Sequence, residues 1–226
     1  MKNKPTSIPV KNSHKFSKGA LAILSVAESL FAQKGFKATS ISEIAKKVGG
    51  SKANIYHHFK SKEHLYQAAL GLACERVFNV LELTNSVPSV DARTRLKEYV
   101  SLHLKSMLEQ PNSTNLIKRE LMDNNQIEEK MLAKDIFTNT FTKVASLVFD
   151  VHQIDSDSQD INASLQAFML IAVNVFFFDS QSVMKYLPGV SAIADTPEVF
   201  SHKIFDFIIN TSSQNMQNPT MRNSNE

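Results

Sequence analysis

Cysteine is almost missing: Cys74 stands alone in 226 residues, which excludes an internal disulfide framework and a cysteine-rich zinc site. Glycine and proline are scarce, at 6 and 7 residues. That excludes collagen-like and low-complexity architectures, and it argues against a β-sandwich, which needs a turn signal roughly every 8–12 residues. The longest apolar run, Ala167 to Phe178, covers 12 residues and is interrupted by Asn174, whereas a membrane-spanning helix needs about 20. The N-terminus has no apolar core of signal-peptide type, so the chain is expected to be cytoplasmic. Enzyme signatures are missing too. The seven histidines are scattered without a His-Glu-x-x-His set, and no glycine-rich phosphate loop or nucleophile elbow occurs. Glu128-Glu129 and Asp155, Asp157 and Asp160 fall at helix starts or loops, where capping accounts for them. Cys74 lies in an apolar helical stretch and reads as inert. No catalytic residue, metal or cofactor is expected.

What is present is an ordinary globular composition, 42% hydrophobic and 21% charged, which excludes a wholly disordered chain. The net charge of +3 hides an uneven distribution. Residues 1–85 carry 13 Lys/Arg against 5 Asp/Glu, and residues 86–226 carry 12 against 17. A basic first third on an acidic remainder points to a polyanionic partner for that third.

Apolar residues recur at helical spacing throughout, so the chain is expected to be all-α. Residues 1–17, polar and basic with Pro5 and Pro9, read as a flexible arm. Ala20, Ile23, Leu24, Ala27, Leu30 and Phe31 mark a first helix that ends near Gly35. Ser40 and Glu43 have the spacing of a capping box, each satisfying the other's backbone donor. They open a short helix that Gly49-Gly50 stops, and Ser51 can cap another, from Lys52 to about Phe59. A long helix from about Glu63 to Leu83 follows. Further helices are expected at roughly 91–109, 114–124, 126–151, 158–186 and 197–210. The last residues, rich in Asn, Ser and Gln, read as a disordered tail. The resulting domains are the arm at 1–17, a three-helix unit at 18–62, a helical body at 63–210 and a tail at 211–226.

Two short helices joined by a glycine turn make a helix-turn-helix. Ile55 and Phe59 face inward on the second helix, which leaves Lys52, Asn54, Tyr56 and His57 outward. Asparagine can pair bidentately with adenine, and lysine can reach guanine O6 and N7. Tyrosine and histidine can bond phosphates or pack on sugars and thymine methyls.

The stretch Thr39-Ser40-Ile41-Ser42-Glu43-Ile44-Ala45, then Val48 to Phe59, then Lys62-Glu63-His64-Leu65, resembles the TetR family of transcriptional regulators. The likeness covers about residues 18–70. It implies DNA contacts from Ser51, Lys52, Asn54, Tyr56 and His57, phosphate contacts from Thr39 and Lys62, and a flanking one from Lys18. One departure is Gly50, where the family usually has Val or Ile; losing that apolar plug is expected to loosen the turn.

From Leu165 to Leu187 the chain is apolar nearly all round. A helix without a polar face must be covered on both sides, so a second subunit is expected. Phe168, Ile171, Val175 and Phe177 would form that interface with Phe200, Ile204, Phe207 and Ile208 of the last helix. Two helices from each chain then give a four-helix bundle, the arrangement the resemblance also implies. An effector cavity is implied in the body, and its candidate walls are Phe78, His103, Met107, Met122, Phe137, Phe141 and Asn174. His103 and Asn174 are the polar members that could fix a ligand's orientation. The resulting expectation is a dimeric, sequence-specific DNA-binding regulator, a repressor released from a palindromic operator by a small, mostly apolar effector. The alternative is a small-molecule or lipid-binding helical protein whose helix-turn-helix is vestigial or contacts protein.

Overall fold

The computed structural model describes residues 16–78, 80, 91–123, 137–155 and 160–216. Ten helices are described: α1 (Lys18–Ala38), α2 (Ile41–Val48), α3 (Lys52–His58), α4 (Lys62–Phe78), α5 (Ala92–Glu109), α6 (Pro111–Asp123), α7 (Thr138–His152), α8 (Ile161–Met184), α9 (Ser191–Ala194) and α10 (Pro197–Met216). No strand occurs among the described residues. The expected arm up to residue 15, parts of four expected helices (79 and 81–83, 124, 126–136, and 158–159), and the tail from 217 on lie outside them. Residues 211–216 do not belong to a tail: α10 continues through them to Met216.

Local signals account for the helix starts. Asp160 Oδ1 accepts from Ala163 N–H at 2.8 Å to open α8, and Asp91 Oδ1 accepts from Thr94 N–H at 3.0 Å ahead of α5. The bonds from Thr94 hold the Asp91 carboxyl below the usual carboxylate range. Pro111 is the first residue of α6, where its missing N–H costs nothing, so this helix begins three residues before the expected 114.

The chain divides into two compact units, Met1–Asn79 with Met107–Thr140, and Val80–Ser106 with Phe141–Glu226. In the first, α6 packs against α1 and α4, and α1 also meets α2 and α3. Polar side chains pin these helices together. Glu28, buried on α1, receives Arg76 Nη1 from α4 and Ser113 Oγ from α6, both at 2.5 Å. Tyr66 Oη donates to the buried Glu120 carboxylate, also at 2.5 Å. Arg119 donates to the carbonyls of Ala32 and Gln33, beside Gly35, where φ +78° breaks the helical path of α1.

In the second unit, Leu96, Val100, Val144, Val148, Ala167, Leu170, Phe205 and Ile209 form a core drawn from α5, α7, α8 and α10. Helix α8 has the length and composition to cross a membrane, which counting the uninterrupted apolar run alone had excluded. One face of it nevertheless packs inside the protomer through Ala163, Gln166, Ala167, Leu170, Asn174, Phe177 and Met184.

Candidate nucleic-acid interface

Helix α3 is held by a cap at its start and by two inward side chains. Ser51 Oγ accepts from Asn54 N–H at 3.2 Å, and Ile55 and Phe59 are each 1% exposed. Phe59 sits among the rings of Phe16, His58 and His64, with centroids at 6.1, 6.4 and 5.9 Å. A helix fixed on that side presents the other. Ser51, Lys52, Asn54, Tyr56 and His57 are all exposed, as is Ala53 between them. Ser51 accepts its cap bond and keeps its hydroxyl proton as a donor. The face therefore offers an ammonium, an amide, a phenol, an imidazole and a hydroxyl on about two turns of helix.

The turn before α3 is closed rather than loosened. Gly49 adopts φ +77°, the left-handed conformation that suits glycine, and Gly50 N–H donates to Ala45 O at 2.9 Å. Gly50 is exposed, so no apolar plug is missing there. What a side chain at 50 would meet is Asn54: an added Cβ would lie 3.3 Å from its Nδ2.

At α2, Ser40 Oγ accepts from Glu43 N–H at 3.1 Å, but the Glu43 carboxylate pairs with Lys34 Nζ at 2.5 Å. Half of the expected capping box therefore forms, because a nearby cation competes for the carboxylate. Thr39 departs from its expected phosphate role. It is 1% exposed, and its hydroxyl donates to Gly35 O at 2.8 Å and lies 3.2 Å from Leu30 O. Its N–H donates to Phe36 O. Both donors serve the end of α1, leaving none for DNA. Lys62, the first residue of α4, is half-buried with its Nζ 4.2 Å from the centre of the Phe36 ring. This partial burial lowers its pKa, opposed by Glu63. Lys18 is exposed at the start of α1.

Of the expected effector walls, Phe78, Met107, Met122 and Phe137 belong to the first unit and His103, Phe141 and Asn174 to the second. Phe78 and Phe137 meet edge-on at 5.7 Å in the first unit, where Met107 is also buried. Met122 is 72% exposed and is no wall. A cleft of about 210 Å³ in that unit is lined by Ser25, Glu28, Arg76, Glu109, Gln110, Pro111 and Asn112, none of them an expected wall. In the second unit Phe141 packs partly buried on the core, and Asn174 Nδ2 bonds His103 Nδ1 at 3.1 Å. Both of these are fully buried, and burial pushes the His103 pKa down to about 4, so the ring is neutral at physiological pH.

The expected interface residues divide into two sets. Phe168 and Phe207 are exposed, at 59% and 68%. Phe177, Phe200 and Ile208 are buried in the protomer, Phe177 and Phe200 with ring centres 4.2 Å apart. Ile171 and Ile204 pack partly buried on the core, and Val175 is half-buried. The bare face of α8 is instead Ile161, Leu165, Phe168, Met169, Phe176 and Val183, with Val199 and Phe207 exposed on α10. Sequence reasoning missed Phe176, which is 68% exposed.

Residues 23–69 match the family model described as "Bacterial regulatory proteins, tetR family". Over 165 residues the chain is 27% identical to the uncharacterized HTH-type transcriptional regulator YerO of Bacillus subtilis, covering 70% of this chain and 56% of that one. It is 25% identical over 123 residues to the biofilm operon icaADBC HTH-type negative transcriptional regulator IcaR of Staphylococcus aureus, covering 50% and 66%. Each match thus spans less than two thirds of the relative. Among solved structures, the fatty acid degradation regulator FadR of Bacillus halodurans superposes with a TM-score of 0.64 at 16% identity, over 93% of this chain and all of that one. That likeness is one of fold.

Proposed function

We propose that this chain, which belongs to the TetR family of bacterial regulators, binds a near-palindromic DNA operator as a homodimer and represses transcription until a small, mostly apolar effector releases it. The observation that carries this reading is the α3 face, where five polar or charged side chains stand exposed on a helix whose other side is locked by Ile55 and Phe59. Asn54 and Lys52 read base edges, while Ser51, Tyr56 and His57 position the helix on the backbone. Lys62 and Lys18 add cations for phosphates, and the basic first third steers the approach. Thr39 is left out of this set.

A single recognition helix per chain reads one half-site, so a two-fold dimer is needed to read a palindrome. The bare apolar face of α8 and α10 is the surface that pairs. A second copy covering it leaves no membrane-exposed helix, and the regulator works in the cytoplasm without catalysis. The name of the relative IcaR, a negative regulator, supports repression. Effector coupling of this kind is typically worth about 1–3 kcal/mol, or roughly 5–150-fold in operator affinity, and linkage makes it reciprocal.

Footprinting on DNA upstream of the protein's own coding region tests the reading. A symmetric protected site, with half-site centres one helical turn or a multiple apart, is expected. Binding that ignores sequence would favour the helical small-molecule or lipid-binding alternative. A thermal-shift screen of apolar and amphipathic compounds, followed by operator titrations with each hit, tests the effector. Hits that stabilise the protein and leave operator affinity unchanged would remove the switch.

A further inference from the structure

In the apolar core of the second unit, α5 carries a polar stripe at four-residue spacing, Arg95, Tyr99 and His103, which α8 faces with Asn174. The bonds within it fix its chemistry. Asn174 Nδ2 donates to Val100 O at 2.9 Å. A backbone carbonyl can only accept, so the amide orientation is settled. The same nitrogen lies 3.1 Å from His103 Nδ1, which makes Nδ1 the acceptor and puts the proton of the neutral ring on Nε2. Tyr99 lies flat against that ring, with centroids 5.6 Å apart and planes 6° from parallel. Asn174 Oδ1 and Tyr99 Oη in this chain of contacts have no hydrogen-bond partner among the described residues. Both side chains are 0% exposed, and buried polar atoms left this way carry a desolvation cost that a partner would lift.

Resting on the effector reading above, we propose that Tyr99, His103 and Asn174 form the polar anchor of the effector site, and that the effector is an uncharged amphiphile presenting a hydroxyl. Oδ1 of an amide accepts only, so whatever meets it must donate. The phenol of Tyr99 both donates and accepts. A hydroxyl has one proton to give and lone pairs to receive, so it can meet both requirements. An ether, an ester or a carboxylate can only accept, so each would leave Asn174 Oδ1 unmet. The surrounding Leu96, Val100 and Leu170 suit an apolar body on the same molecule. Arg95, two turns before His103 on the stripe, is the group an anion would seek instead, so an anion belongs in the test.

The test is calorimetric titration of the full-length protein with 1-octanol, its isomer 1-methoxyheptane, and octanoate. Octanol and the ether have the same atoms and differ only in the O–H donor. Octanol is expected to bind at least about ten-fold tighter than either of the others, since a site built to bond a hydroxyl rejects an analogue lacking it. Tyr99→Phe removes one unpartnered oxygen and should keep the melting temperature while shrinking the preference to within about three-fold. Equal binding of octanol and the ether overturns the anchor and leaves the effector reading standing. Stronger binding of octanoate, or an undiminished preference in Tyr99→Phe, also overturns it. If none of the three binds, the anchor falls; if the wider compound screen also finds nothing, the effector reading falls with it.

Discussion

Thr39 illustrates what a single residue conceals until its neighbours are known. A threonine just before a helix start, within a DNA-binding motif, suggests a phosphate contact, because exposed N–H groups and the helix dipole favour anions there. Its hydroxyl instead closes the end of α1 by bonding the carbonyls of Gly35 and Leu30. Replacing it tests the difference. Thr39→Val keeps the shape, removes the bonds and should destabilise the protein by about 1–2 kcal/mol in denaturant melts. The salt dependence of DNA binding should be unchanged, and a slope reduced by about one unit would restore the phosphate role. The inward residues were readable from spacing alone: Ile44, Ala45, Ile55 and Phe59 are all buried. The long-range polar pairs were not, because nothing in a sequence links Tyr66 to Glu120 or Arg119 to the carbonyl of Ala32.

Among the elements, the turn from α2 to α3 shows how a family comparison can mislead at one position. Gly50 stands where an apolar residue is usual, and the expectation was a loose turn. Its N–H bond to Ala45 O and the left-handed Gly49 keep the turn closed, and its bare Cα leaves room for the Asn54 amide. Gly50→Val should therefore change stability by less than about 1 kcal/mol, as exposed substitutions commonly do, yet weaken operator binding by displacing Asn54. Stability melts and anisotropy titrations on the same variant separate these outcomes; unchanged operator affinity would mean Asn54 does not need that space. Helix α8 shows the limit of periodicity. Where nearly every position is apolar, helical spacing marks a stripe but not which stripe faces in. Asn174 and Gln166 resolve it, since both are buried and hydrogen-bonded. Phe177 shares their face and Phe176 does not. The end of α10 was hidden for another reason: residues 211–216 have the polar composition of a tail, yet they continue the helix to Met216.

For the whole molecule, the all-α class was legible from helical spacing and glycine breaks. The packing of α6 with α1 and α4 was not, because it joins segments far apart in the chain. The dimer prediction moves with the corrected face. Phe176→Asp puts a charge at the proposed subunit contact, where desolvating it would cost several kcal/mol, and spares the protomer core. Sedimentation should give a folded monomer that no longer protects the operator. A dimer of normal affinity would place the interface elsewhere. Phe177→Asp would be a poorer probe, since that side chain is buried against Phe200 and its loss disrupts the protomer itself.

Sequence-specific reading of DNA by α3 is the claim on which the rest depends, and Asn54 is the residue that tests it most directly. The measurement is an anisotropy titration of wild-type protein and Asn54→Ala against the footprinted operator and a scrambled duplex, at fixed salt. Asn54→Ala should lose about 1–3 kcal/mol of discrimination at the base pairs it reads, with little change on scrambled DNA. Equal weakening on both duplexes would contradict base reading by this helix.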